Sequence, residues 1–355
     1  MNPDSERPWF IEMIRAEARE YSDRTLKAGK FAQIPERDPG KNLFNVYSAN
    51  HWMELNKNTP APNQLLGELW HMGELCILFA DTNAGKSILA VQIGNALAGR
   101  WQMEPFGLEA PQCNVVYIDF ELSGKQFQSR YTHQEVIYQF NKGFYRAEFN
   151  PGADMPLDFK TYEEYMNAAV EYAITSTGAD VLIIDNITCL RDGTEYASQA
   201  LPLMRHLKAL KTKHQVSILV LAHTPKRNPA RPITRNDLQG SKMLVNFADS
   251  AFAIGVSRRD PSLRYLKQVK QRATHEVYGP ANVCVFRIVK PQNFLHFKFE
   301  GFAHEGDHLE GNTAQDRWQV HAQIRELHAQ GLSQRKISAQ LNVGLATVNK
   351  VVNRA

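Results

Sequence analysis

Apolar residues along this chain follow two alternating rhythms. Through residues 8–26 they recur every three or four positions, at Phe10, Ile14, Ala18 and Tyr21, with glutamates and arginines between. That spacing predicts a helix with one apolar stripe, packed on its own domain or offered as an arm to a neighbouring subunit. A stretch rich in Pro, Asn and Lys follows and suits an extended connector. From there the rhythm changes to short unbroken runs: "LCILF" (75–79), "NVVYIDFE" (114–121), "DVLIIDN" (180–186) and "VSILVLAH" (216–223). Helical patterns stand between them at 86–98, at Tyr162, Tyr165, Ala169 and Tyr172, and at 201–213. Buried strands alternating with helices predict an α/β fold whose parallel sheet is covered on both faces. A polar, proline-rich loop then leads to "MLVNFADSAFAIGV". Three segments of alternating pattern, "SLRYLKQVKQ", "NVCVFRIVK" and "NFLHFKFEGFA", read as antiparallel strands at the sheet's edge. "HEGDHLEGNTAQD" reads as a flexible linker, and a small all-α unit closes the chain. The expected division is 1–64 helix and connector, 65–300 α/β core, 301–313 linker and 314–355 helical unit. No internal repeat is visible.

Composition changes this picture little. The 355 residues are 43% hydrophobic and 22% charged, with a formal charge of +4, ordinary for a globular protein and too small a surplus to argue for a nucleic-acid partner alone. Cys76, Cys113, Cys189 and Cys284 form no CxxC pair, so neither a zinc site nor a disulfide framework is expected. The opening "MNPDSERPW" lacks the basic start and apolar core of a signal peptide, and no run reaches membrane-spanning length. A cytoplasmic protein without a membrane partner is expected.

The chemistry begins where the first core strand ends. Ala80-Asp81-Thr82-Asn83-Ala84-Gly85-Lys86-Ser87 fits the phosphate-loop pattern Gly/Ala-x-x-x-x-Gly-Lys-Ser/Thr, set between a strand and a helix. In such a loop successive backbone N–H groups, continuing to Ile88, curl around a β-phosphate at the positive end of the helix. Lys86 would reach the β- and γ-phosphates and Ser87 would ligate Mg²⁺. Ala80 in place of the first glycine argues against a left-handed backbone there. Two acids end later strands: Asp185, positioned to hold Mg²⁺, and Glu121, positioned to polarise a water. Asp119, two residues before Glu121, is the rival base.

The phosphate loop after "GELCILF", the Glu of "YIDFE" and the Asp of "LIID" together resemble the RecA-like ATPases. The continuation "LVLAHTPKR…LQGSKMLVNFADSAFAI" is similar to the RepA-type hexameric replicative helicases of plasmids and mobile elements, and more distantly to the DnaB and RecA families. The resemblance spans about residues 65–299. It implies a RecA-like P-loop core that uses ATP and Mg²⁺, with His223, ending the fourth strand, as γ-phosphate sensor. It implies single-stranded DNA contacts from the loop that follows, through Lys226, Arg227, Arg231, Arg235 and Lys242. The loop at 191–198 has little basic character. Lys270 and Arg272, a Lys-x-Arg at a late strand's end, are implied as an arginine finger reaching a neighbour's nucleotide, in a homo-oligomer that the resemblance implies is a hexamer.

The last helices complete the expectation. Ser333 can cap a helix bearing Ile337 and Leu341, Asn342-Val343-Gly344 forms a turn, and Val348, Val351 and Val352 face inward beside Ile324 and Leu327. This resembles the helix-turn-helix of resolvases and invertases, with Asn342 and Gly344 as mild departures. The resemblance implies duplex DNA contacts from the exposed Leu345, Ala346, Asn349, Lys350 and Arg354. The whole reads as a ring-forming replicative DNA helicase of a mobile element. The alternatives are a DNA-binding regulator whose assembly ATP controls, or a filament-forming recombination or transposition accessory ATPase.

Overall fold

A computed structural model describes residues 45–190, 196–225, 227–240, 242–272, 274–309, 314–341 and 343–353. The helical stripe at 8–26 lies outside the described residues, as does most of the loop at 191–198. The first described element is helix α1 (Ala49–Asn56), capped by the Ser48 hydroxyl accepting from the His51 amide at 3.2 Å. Strands β1 (Gln64–Leu66) and β2 (Trp70–His71) pair antiparallel and bury Leu65, Leu66 and Trp70.

Strand β3 (Leu75–Ala80) is buried at every position, as its unbroken apolar run demands. Side chains alternate across it. Cys76, Leu78 and Ala80 meet Leu89, Ala90, Ile93 and Leu97 of helix α2 (Lys86–Gly99) in one apolar cluster. Leu75, Ile77 and Phe79 point the other way, into a second cluster. The chain continues through β4 (Val115–Asp119), α3 (Gly124–Arg130), the small pair β5 (Thr132–His133) and β6 (Val136–Ile137), β7 (Phe144–Glu148) and α4 (Tyr162–Thr177). Then come β8 (Val181–Asp185), α5 (Ala197–His214), β9 (Ser217–His223), the short α6 (Lys242–Phe247) and β10 (Ser250–Val256). Helix α5 supplies Leu203, Met204, Leu207 and Leu210 to the second cluster. Both faces of the sheet are therefore covered.

Strands β11 (Leu263–Lys270), β12 (Val283–Val289) and β13 (His296–Ala303) complete a nine-stranded sheet of order β13-β12-β11-β10-β3-β9-β8-β4-β7. From β10 to β7 all neighbours are parallel, joined by crossovers; β10 to β13 are antiparallel. This is the expected α/β class: a RecA-like core with the phosphate-loop strand inside the sheet and antiparallel strands at one edge. Edge strand β7 is not visible in the pattern, because "FYRAE" is polar at two of its five positions and half-exposed throughout.

The stretch assigned to a linker begins inside the core. Gly301 to Ala303 belong to β13, and Glu305, His308 and Leu309 are buried. The Glu305 carboxylate faces Lys267 on β11 and accepts from the Ile233 amide at 2.7 Å, which explains how an acidic, glycine-rich segment can pack. Residues 310–313 lie outside the described residues. Beyond them α7 (Ala314–Ala329), α8 (Gln334–Gln340) and α9 (Leu345–Val352) share a core of Ile324, Ile337, Val348 and Val351. Ser333 caps α8 through the Lys336 amide, and the Ser338 hydroxyl donates to the Val343 carbonyl at 2.6 Å, fixing the turn before α9.

Candidate nucleotide site

The loop between β3 and α2 turns through left-handed backbone at Asn83 (φ 61°) and Gly85 (φ 102°). At φ 102° any side chain at Gly85 would be strained, and a Cβ there would also lie 2.9 Å from the side-chain tips of Ile288 and Phe297, so the turn favours glycine. Ala80 is the last extended residue of β3, in keeping with its side chain. Helix α2 starts at Lys86, so the amides of its first turn have no intrahelical acceptor and point into the loop. Its N-terminal end offers positive potential there, a geometry suited to phosphate. Two clamps hold the scaffold: Gln92 of α2 exchanges hydrogen bonds with the Phe297 backbone at 2.8 and 3.0 Å, and Arg264 donates to the Ala84 carbonyl at 3.0 Å.

Four chain-distant side chains converge beside the loop, because β3, β9, β8 and β4 are parallel neighbours whose C-terminal ends share one edge. The buried Lys86 ammonium donates to the carbonyls of Ala80 and Asp81 and to His223 Nδ1, each at 3.1 Å. Lysine has only protons to give, so Nδ1 accepts and the neutral ring carries its proton on Nε2. Nε2 lies 3.7 Å from Glu121 Oε1. Glu121 also accepts from the Asn186 side-chain amide. His223, then Asn186 and the Lys86 charge, hold the Glu121 carboxyl below its ordinary value, against the opposing effect of burial. Burial pulls the Lys86 ammonium down, partly countered by Asp185, Glu121 and Asp81.

Asp185 is 1% exposed, and burial raises its carboxyl to about 6, partly offset by hydrogen bonds from Ser87 and from the Tyr117 hydroxyl at 2.7 Å. A buried carboxylate whose donors are hydroxyls, with Glu121 nearby, suits a divalent cation. Together with the Ser87 hydroxyl it offers two protein oxygens, the number a Mg²⁺ shared with phosphates needs. Asp119 is differently engaged. It is 1% exposed, accepts from the amides of Glu121 and Leu122 at 3.0 and 2.9 Å, and pairs with Arg146 at 2.9 Å. Those bonds occupy both of its oxygens, which removes it as rival base. Sequence reasoning gave no role to Tyr117, Asn186 or Arg146. Asn186 directly follows Asp185 and Tyr117 is the polar-tipped residue in an apolar run, signals that were present.

The remaining candidates lie elsewhere. Lys270 pairs with Ala251 at the start of β10, so it and Arg272 sit at the sheet edge opposite the phosphate loop. Lys270 Nζ donates to the carbonyls of Val245, Asn246 and Ala248 at 2.7 to 3.0 Å, and Arg272 to Asn246 at 2.9 Å, with Asp249 at 3.5 Å. Burial, then Arg272, lowers the Lys270 ammonium to about 8. These residues cannot reach this chain's own loop.

The basic loop after His223 is anchored rather than free. Ile233 is buried, its amide bound by Glu305 and its carbonyl by Lys267 at 2.7 Å. Arg227 is turned inward, donating to the Arg231 carbonyl, with Nε 3.8 Å from Asp237. Arg231 and Arg235 are exposed. Lys226, the Lys242 side chain, Arg354 and Asn342 lie outside the described residues. On α9, Leu345, Ala346, Asn349 and Lys350 are exposed while Val348 and Val351 are buried.

The model of a family described as AAA domain matches residues 46–229, a span that contains the phosphate loop, Glu121, Asp185 and His223. Among solved structures, the KaiC-like protein PH0186 from the hyperthermophilic archaeon Pyrococcus horikoshii OT3 is similar at 13% identity. The likeness covers 64% of this chain and 91% of that one, with a TM-score of 0.43. Comparison with the curated proteins gives no match.

Proposed function

The chain belongs to the AAA-domain family and is a RecA-like P-loop ATPase, and on that premise we propose that it is a DNA-acting motor, a ring-forming replicative helicase of a mobile element. The observation that carries the catalytic part is the contact chain Lys86–His223–Glu121 beside Asp185. The loop amides and Lys86 bind the triphosphate. Glu121, kept ionised, takes the proton of a water aimed at the γ-phosphorus. His223 touches both Lys86 and Glu121, so it senses whether the γ-phosphate is present. Ser87 and Asp185 would hold a Mg²⁺, which when bound would supply charge neutralisation at the phosphates.

Three features support the finer reading. The anchored loop that follows His223 in sequence exposes Arg231 and Arg235, which puts guanidiniums on the same connection as the sensor. Arg272 lies on the edge opposite its own phosphate loop, so a nucleotide it served would have to belong to another subunit. Helix α9 exposes Asn349 and Lys350 beside Leu345 and Ala346, a mixed set of side chains that a duplex major groove could receive. The test measures ATP turnover by the full chain with and without single-stranded DNA, and strand separation of a forked duplex. Stimulated turnover with ATP-dependent unwinding is expected. Turnover indifferent to DNA and no unwinding would defeat the helicase reading and leave an ATP-controlled DNA-binding regulator or a filament-forming accessory ATPase.

A further inference from the structure

We propose that Arg146, on edge strand β7, is a positioning residue that holds the turn bearing Glu121. The inference rests on Glu121 acting as the base. After β4 the chain bends sharply, and Asp119 Oδ1 accepts from the amides of Glu121 and Leu122 at 3.0 and 2.9 Å, a side-chain-closed turn. The turn is set by where that carboxylate points, and Arg146 sets the carboxylate. Its Nε donates to Asp119 Oδ2 at 2.9 Å, and Nη2 forms an ion pair with the same oxygen at 2.9 Å. Nη2 also donates to the Leu122 carbonyl, and Nη1 reaches Glu148 Oε2 at 2.7 Å. The guanidinium lies over the Phe127 ring, 4.7 Å from its centroid. One planar cation thus fixes the Glu121–Leu122 segment twice, directly through a carbonyl and indirectly through two amides.

The fork geometry matters because a lysine ammonium cannot meet Asp119, Leu122 and Glu148 in these directions together. Arg146 makes no hydrogen bond to the phosphate loop, Lys86, Ser87 or Asp185, so its influence on chemistry passes through the Glu121 turn. A carboxylate displaced by about 1 Å from its water loses on the order of 10²-fold in rate. Nucleotide affinity, set by the loop and Lys86, has no reason to change.

The experiment uses the full chain carrying Arg146→Gln, Arg146→Lys, Glu121→Gln and the Glu121→Gln/Arg146→Gln pair. It measures kcat, KM and direct nucleotide binding at a temperature where circular dichroism shows each variant folded. Arg146→Gln should lower kcat about 10²-fold with binding unchanged, and Arg146→Lys should recover part of the loss. The double variant should turn over no more slowly than Glu121→Gln alone, because the two act as one unit. Wild-type kcat in folded Arg146→Gln, or in Arg146→Lys should the glutamine variant not fold, overturns the proposal. So does a loss in the double variant equal to the sum of both singles, which shows that Arg146 acts on something other than Glu121. Wild-type turnover by Glu121→Gln instead defeats the assignment of the base, a failure separate from these.

Discussion

Replacing Glu305 by alanine is expected to cost far more than its place in a seemingly loose, acidic segment implies. Its side chain is 1% exposed and that of Lys267 7% exposed, and the two form an ion pair. Between them they take both backbone groups of Ile233, the buried residue that anchors the basic loop: the amide gives to Glu305 at 2.7 Å and the carbonyl receives from Lys267 at 2.7 Å. Glu305→Ala leaves a buried cation bare, which costs about 3–5 kcal/mol. The orphaned Ile233 amide, alone worth about 1–3 kcal/mol, is part of the same loss and is not added to it. At about 2–4 °C per kcal/mol for a domain of this size, the melting temperature should fall by roughly 10 °C. Lys267→Met/Glu305→Leu should recover part of this, since no charge is left bare, yet stay below wild type because Ile233 still lacks partners. Thermal melts and urea titrations of the three proteins read the difference. A loss of only about 0–1 kcal/mol for Glu305→Ala, the worth of an exposed pair, would refute the reasoning.

Arg272→Ala should bind ATP normally and hydrolyse it about 10³- to 10⁵-fold more slowly if it serves a neighbour's nucleotide. Mixing it with Glu121→Gln subunits should restore some turnover, and failure in demonstrably mixed oligomers would exclude a shared site. A chain ending at Asn312 should keep its ATPase and lose duplex affinity, most visibly at low salt, because the exposed face of α9 is gone while the nucleotide site is intact; unchanged duplex binding would contradict this. Glu171 on α4 accepts from His214 at 3.0 Å and from Lys213, and these two, His214 first, hold its carboxyl at about 2. Its folded value is depressed, so the pair stabilises above the ordinary value of 4.5 and the benefit is lost as pH falls towards about 2. Glu171→Gln should therefore be less stable at pH 7 by about 0.5–1 kcal/mol, with the gap closing below pH 4.5; a gap independent of pH would be contrary.

The legible parts of this chain are those where one side-chain property repeats. The apolar runs of β3, β8 and β9 are buried on both faces, so nothing interrupts them, and they gave the parallel sheet. The phosphate loop was legible because its backbone demands glycine at Gly85 and its chemistry demands Lys86 and Ser87. Strand β7 was not, since Arg146 and Glu148 serve the Glu121 turn rather than a core. Glu305 and Lys267 were hidden for a related reason: each alone looks like surface charge, and only the fold brings them together. Asp119 and Glu121 stand two apart on one strand end, and the sequence left them rivals. The hydrogen bonds that close the turn separate them, giving Asp119 to the backbone and leaving Glu121 facing His223.

Nucleotide binding and single-turnover hydrolysis by Glu121→Gln, measured side by side with the unaltered chain, probe the central claim most directly. The amide keeps the shape of the carboxylate and its contact with Asn186 but is a far weaker base. ATP should bind as it does to wild type, while hydrolysis slows by about 10²- to 10⁴-fold. Hydrolysis at the wild-type rate would show that Glu121 does not activate the water.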